Sequence, residues 1–223
     1  MQKTKFKKQL KKLNVVGEDF CSSTGLSFLF TKGVVNMFLE TEHLTKDHRD
    51  IDRVNQLYLE AFPDHERMPM NILLRKANKR SVDFWALYDQ NIFVGFTYLI
   101  THQDLTYVLY VAVDGQARSS GYGSQLLKKI EEHRPGNRII LNIENLDESA
   151  ENYQQRVTRK KFYVRNGYRD SGLVYEDRWA KYEVLLNGTN VETHEFYRLL
   201  RKFAGNLLFL LFKPRITKTN LNR

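Results

Sequence analysis

Residues 107–113, YVLYVAV, constrain the fold of this chain more than any other segment. A strand with one wet face alternates apolar and polar side chains. This one never does, so it has to be covered on both faces, in the middle of a sheet. The turn DGQARSSGYG follows at once, and then a helix in which Leu126, Leu127 and Ile130 share one face. A buried strand running through a glycine turn into an amphipathic helix calls for a layered α/β fold.

The other segments fit round that centre. MFLETEHLT, from Met37, reads as a first strand. Ile51, Val54, Leu57, Tyr58 and Phe62 recur at helical spacing, and Pro63 ends that helix. The loop PDHERMP leads to a short helix over residues 71–79. VDFWALYD and FVGFTYLITH are strands rich in aromatic and β-branched residues, with Gln90 and Asn91 marking a hairpin between them. RIILNIENL is another buried strand, residues 149–165 form a long charged helix, and Gly167 is its expected left-handed terminator. SGLVYED and WAKYEVLL make a last hairpin around Asp177 and Arg178. Phe196, Leu199, Leu200, Phe203, Leu207, Leu210 and Leu211 mark a final amphipathic helix. The order is strand, two helices, three strands, helix, strand, helix, two strands, helix. It predicts a mixed, mostly antiparallel central sheet with helices on both faces.

The net charge of +9 sits at the two ends. Residues 1–36 carry seven lysines against two acids, residues 188–223 seven lysines and arginines against two acids, and the stretch between 21 bases and 22 acids. Three segments are expected: a basic N-terminal extension over 1–36 with little pattern of its own, a folded domain over 37–187, and a C-terminal amphipathic helix with a basic tail over 188–223. Basic ends either solvate a chain or meet an anionic partner. Few aromatics accompany the N-terminal lysines, which argues against stacking on a specific nucleic acid. Cys21 is the single cysteine, so no intrachain disulfide forms, and the histidines lack ligand spacing, so no metal site is expected. No run reaches the ~18–20 apolar residues of a membrane span, and the basic N-terminus lacks a signal peptide's apolar core. The expected setting is the cytoplasm. Residues 207–212, LLFLLF, are apolar on too many sides for a one-faced helix. A docked helix or a homodimer contact through it is favoured over a membrane contact.

The glycine turn is where chemistry enters. A helix start presents unpaired N–H groups backed by the positive end of the dipole, and glycines let an anion come close. A mononucleotide P-loop needs Gly-Lys-Ser/Thr, but Gly123 is followed by Ser124 and Gln125. A dinucleotide fingerprint needs a third glycine where this chain has Leu126, and hairpin strands precede the turn where that fold places its first strand. Arg118, Gly121 and Gly123 instead match the pattern Arg/Gln-x-x-Gly-x-Gly/Ala for the pyrophosphate of coenzyme A. FYVRNGY, at residues 162–168, supplies a second match, aromatic-Tyr-x-x-x-Gly-Phe/Tyr. On these motifs and the element order, residues 38–186 resemble the GNAT superfamily of N-acetyltransferases.

That resemblance implies an acyl-CoA N-acyltransferase fold and acetyl-CoA as acyl donor. It implies a phosphate cradle from Arg118, Ser119, Ser120, Gly121, Tyr122, Gly123 and Ser124, and a splayed strand whose backbone at Val111, Ala112 and Val113 binds the pantetheine arm. An amide near Val111 would polarise the thioester carbonyl. Tyr163 takes the family's general-acid position, beside a departing thiolate. An ammonium must lose a proton before it attacks, and Glu144, Glu66 and Asp64 are the candidate carboxylates, Glu66 lying in the loop where the family recognises acceptors. The family's asparagine and alanine before the tyrosine are replaced by Arg156 and Arg159, which with Lys160 and Lys161 make a basic helix. The expected function is transfer of acetyl to a primary amine of a small-molecule or peptide acceptor. The alternative is a non-catalytic module of the same fold that uses its basic ends on nucleic acid or an anionic membrane.

Overall fold

The computed structural model describes residues 39–118, 120–178, 180–206, 209 and 214–219. The expected extension over 1–36 lies outside the described residues, as do Ser119 and all of residues 207–212 except Phe209.

The chain runs β1 (Leu39–His43), α1 (Ile51–Ala61), a 3-10 turn (Asp64–Glu66), α2 (Met70–Ala77), β2 (Val82–Asp89), β3 (Ile92–His102), β4 (Leu105–Val113), α3 (Tyr122–His133), β5 (Arg138–Glu144), α4 (Tyr153–Arg165), β6 (Arg169–Glu176), β7 (Lys181–Asn187), α5 (Thr193–Ala204) and β8 (Arg215–Lys218). The strands form one sheet in the order β1-β2-β3-β4-β5-β7-β6-β8. Every neighbouring pair is antiparallel except β4 and β5, which α3 joins as a crossover.

Strand periodicity divides the core between two layers. Phe84, Ala86 and Tyr88 of β2 point to one face, where α1, α2 and α5 add Val54, Leu57, Tyr58, Leu73, Phe196 and Leu199. Trp85 and Leu87 point to the other, where α3 and α4 add Leu126, Leu127, Ile130 and Tyr163. At the β2–β3 hairpin Gln90 and Asn91 take φ of 48° and 64°, the left-handed pair a two-residue turn needs. Gly167, at φ 85°, ends α4.

The C-terminal segment departs from expectation. The apolar repeat predicts one helix running on past Leu207; α5 ends at Ala204, Gly205 interrupts it at φ 82°, and Asn206 and Phe209 are helical again. Arg215–Lys218, read as basic tail, is an eighth strand on the edge of the sheet, paired with β6 from Leu173↔Lys218 to Glu176↔Arg215. Only Ile216 of its four residues is buried, so its sequence carries almost no strand signal. No helix among the described residues is long and apolar enough to cross a membrane.

Candidate active site

The site begins as a defect in the sheet. β4 pairs with β5 from Leu105↔Arg138 to Val108↔Leu141 and then stops, although β4 continues to Val113 and β5 to Glu144. On the other side of β4, Tyr98 faces Tyr110 and Leu99 faces Val108, so Leu109 is an extra residue. A bulge of that kind bends its strand, and here the two parallel strands diverge beyond it.

Which backbone groups face the split follows from the hydrogen-bond phase. Asp114 donates its N–H to Val94 C=O at 2.9 Å, Tyr110 C=O accepts from Thr97 Oγ1 at 3.0 Å, and Ala112 C=O lies against Gly95. Residues 110, 112 and 114 therefore turn their main-chain groups to β3. The N–H and C=O of Val111 and Val113 turn the opposite way, into the split. Gly95 permits this fit: a Cβ there would stand 2.3 Å from Ala112 O.

The glycine turn follows β4. Gly121 caps α3 at φ 84°, and the first helical bond runs from Gln125 N–H to Gly121 C=O at 3.1 Å. The amides of Tyr122, Gly123 and Ser124 precede that bond, at the positive end of α3. Tyr122 fixes the turn to the end of β2 by donating to Asp89 Oδ2 at 2.6 Å. Gly123 has a packing role that its motif does not reveal: a Cβ there would lie 2.9 Å from the Phe162 ring. Arg118 Nε reaches Val113 C=O at 3.4 Å, at the mouth of the split, and Ser120 is exposed.

A cavity of about 900 Å³ occupies the split, lined by Val111, Ala112, Val113 and Arg118 on one side and by Glu66, Glu144 and Tyr163 on others. The expected strand and all three candidate catalytic residues thus share one space; the glycines of the turn lie beyond its lining. Asp64 also lies beyond it, exposed and ion-paired with Arg67.

The three candidates sit in different surroundings. Glu144 is held by Arg159, by Asn152 Nδ2 at 3.1 Å and by Arg156 Nε at 3.8 Å. Arg156 also donates to Asn145 C=O at 2.8 Å, and Lys160 pairs with Glu183 at 2.7 Å, so these cations of α4 fasten it to β5 and β7. Glu66 takes a 2.7 Å hydrogen bond on Oε1 from Tyr182, while its main-chain carbonyl accepts from Tyr110 at 2.7 Å. Tyr163 is buried against Phe162 and Tyr168, with ring centroids at 5.1 and 5.8 Å. Burial pushes its phenol up to about 12, with Arg159 pulling the other way.

Sequence reasoning passed over Asn142, Tyr110 and Tyr182. Asn142 Oδ1 is buried in the cavity wall with no hydrogen-bond partner. Its signal was visible, as the polar residue inside the apolar run RIILNIE. Tyr110 and Tyr182 look like core aromatics of their strands, and no spacing distinguishes them. Among the described residues no group of three His, Cys, Asp or Glu is placed to hold a metal ion.

A mostly antiparallel sheet split at a parallel pair, with a glycine turn leading from the split strand into a helix, defines the acyl-CoA N-acyltransferase fold. Residues 80–170 match the family model described as an acetyltransferase (GNAT) domain. Solved structures of the same fold include a protein of Bacteroides thetaiotaomicron described as a GNAT-family acetyltransferase, with 20% identity, 76% of this chain and 98% of that chain covered, and a TM-score of 0.59. An aminoglycoside 6'-N-acetyltransferase complexed with coenzyme A matches at 18% identity over 69% of this chain and 98% of that one, with a TM-score of 0.52. Ard1 from Thermoplasma volcanium matches at 15% identity over 69% and 99%, also with a TM-score of 0.52. No curated protein matches the sequence.

Proposed function

We propose that this protein transfers the acetyl group of acetyl-CoA to a primary amine by direct attack. The observation that carries the reading is the convergence of Val111 and Val113 main-chain groups, Glu66 and Tyr163 on one cavity beside the amides of Tyr122, Gly123 and Ser124. A structure of the same fold complexed with coenzyme A supports the choice of donor.

The residues present suit that donor. Outward N–H and C=O groups of β4 pair with the amides of an extended pantetheine arm as an added strand does. The amides at the start of α3, with Arg118 and the Ser120 hydroxyl, suit the pyrophosphate. The Val111 N–H is placed to hydrogen-bond the thioester oxygen as negative charge develops on it.

Chemistry at the amine divides between two side chains. Glu66 is the carboxylate we assign to receive the ammonium and take its proton, because its hydrogen bond from Tyr182 leaves the second oxygen available. Glu144 is already bonded to Arg159 and Asn152, with Arg156 beside it, so we assign it to anchoring α4. Tyr163 stays protonated at neutral pH, so a donor hydroxyl is present for the departing sulfur.

Calorimetric titration with acetyl-CoA, followed by thiol release with a panel of amines, tests the reading. Binding with amine-dependent thiol release is expected. Binding with no release for any amine would favour the non-catalytic module, and absence of binding would overturn the proposal.

A further inference from the structure

The acceptor end of the cavity has a chemical character of its own. Glu66 stands there between two tyrosines from separate strands: Tyr110 of β4 holds its carbonyl and Tyr182 of β7 holds its carboxylate, each at 2.7 Å. The walls around it are aromatic. Phe62 packs edge-on to Tyr110 at 4.8 Å, and Tyr175 lies 5.9 Å from Tyr182, all four lining the cavity. Burial and the Glu66 carboxylate together raise the Tyr182 hydroxyl, which stays neutral and donating. Such an arrangement offers an anion for an ammonium and ring faces for an apolar body, and Asp177 and Glu60 add to the acidic character of the same cavity.

The guanidiniums beside this end are already engaged. Arg67 donates to the carbonyls of Leu59 and Phe62 at 2.8 and 3.0 Å and pairs with Asp64. Arg159 pairs with Glu144. An acceptor carrying its own carboxylate or phosphate would bring that group against Glu66 and aromatic rings, where an unpaired charge is costly.

Building on the transferase reading above, we infer that the acceptor is a primary amine on an apolar, ring-sized body with no acid group beside it, its ammonium received by Glu66 and its body by Phe62, Tyr110, Tyr175 and Tyr182. Glu66 and these rings then set specificity as well as chemistry.

The test compares 2-phenylethylamine and phenylalanine as acceptors for the full chain with saturating acetyl-CoA. The expected kcat/KM for 2-phenylethylamine exceeds that for phenylalanine by at least about tenfold, the scale on which an unpaired buried charge discriminates. Glu66→Gln keeps the shape and the bond from Tyr182; it should lower kcat/KM for 2-phenylethylamine at least about tenfold while the acetyl-CoA Kd stays within about threefold. Acetyl-CoA binding with phenylalanine used equally well, or with neither amine acetylated, overturns this inference and leaves the donor site standing. Loss of acetyl-CoA binding in the parent protein overturns both. The acceptor comparison in the parent stands whether or not the variant folds.

Discussion

Gly95 joins the fold to the proposed donor site, and replacing it with alanine tests that link. It faces Val113 across the β3–β4 pair, and an added Cβ would stand 2.3 Å from Ala112 O, 3.1 Å from Val113 Cα and 3.2 Å from Ala112 C. These are backbone atoms, so no rotamer change relieves the clash. Restoring ordinary contact requires β4 to shift by about 1 Å, and overpacking of this kind costs about 1–3 kcal/mol. For a domain of this size that lowers Tm by roughly 2–12 °C. The shift falls on Ala112, between the two residues whose main chain faces the cleft, and a misplacement of about 1 Å is worth up to about a hundredfold at a reacting centre. Differential scanning calorimetry and acetyl-CoA titration should therefore both change for Gly95→Ala. The control is Gly115→Ala, where a Cβ meets nothing within 4 Å and neither quantity should move. An alanine at 95 that left Tm and affinity at parent values would refute the argued fit between β3 and β4.

Tyr163→Phe removes only the hydroxyl of a buried ring, so turnover should fall about tenfold or more with the acetyl-CoA Kd within about threefold, measured by steady-state kinetics and calorimetry. Gly121→Val puts a β-branched residue at φ 84° where an anion would approach, and coenzyme affinity should fall at least about tenfold, read by titration of a variant shown to be folded. Glu195 accepts two hydrogen bonds from Arg138, at 2.8 and 3.0 Å, which with the Glu192 N–H hold its carboxyl down at about 2 from an ordinary 4.5. A lowered folded value means stability present above pH 4.5 and lost as pH falls toward 2; allowing for solvent screening it amounts to about 1–2 kcal/mol, absent from Glu195→Gln in acid-range melts.

The fold was legible because its central strand permits few arrangements. An apolar run at residues 107–113, a glycine turn and an amphipathic helix imply a covered sheet with a crossover, and the remaining elements follow in the predicted order. The end of α5 and the edge strand β8 were not legible: the apolar pattern continues through Gly205, and R-I-T-K offers a single buried residue. Site positions differ for a related reason. Val111 and Val113 act through main-chain groups, whose direction depends on the register with β3 and the bulge at Leu109, and no side chain encodes either. Tyr110 and Tyr182 meet Glu66 only because separate strands bring them there. Arg156 and Lys160, read only as parts of a basic helix, have carboxylate partners from β5 and β7 that the sequence does not place beside them.

The most direct measurement is residue-resolved amide exchange along β4, with and without coenzyme A. Ala112 already bonds to β3, whereas the Val111 and Val113 amides face the split. Coenzyme A should slow exchange at Val111 and Val113 and leave Ala112 nearly unchanged, an alternation that only an added strand in this cleft produces. Binding of coenzyme A with no protection at Val111 and Val113 would contradict the account.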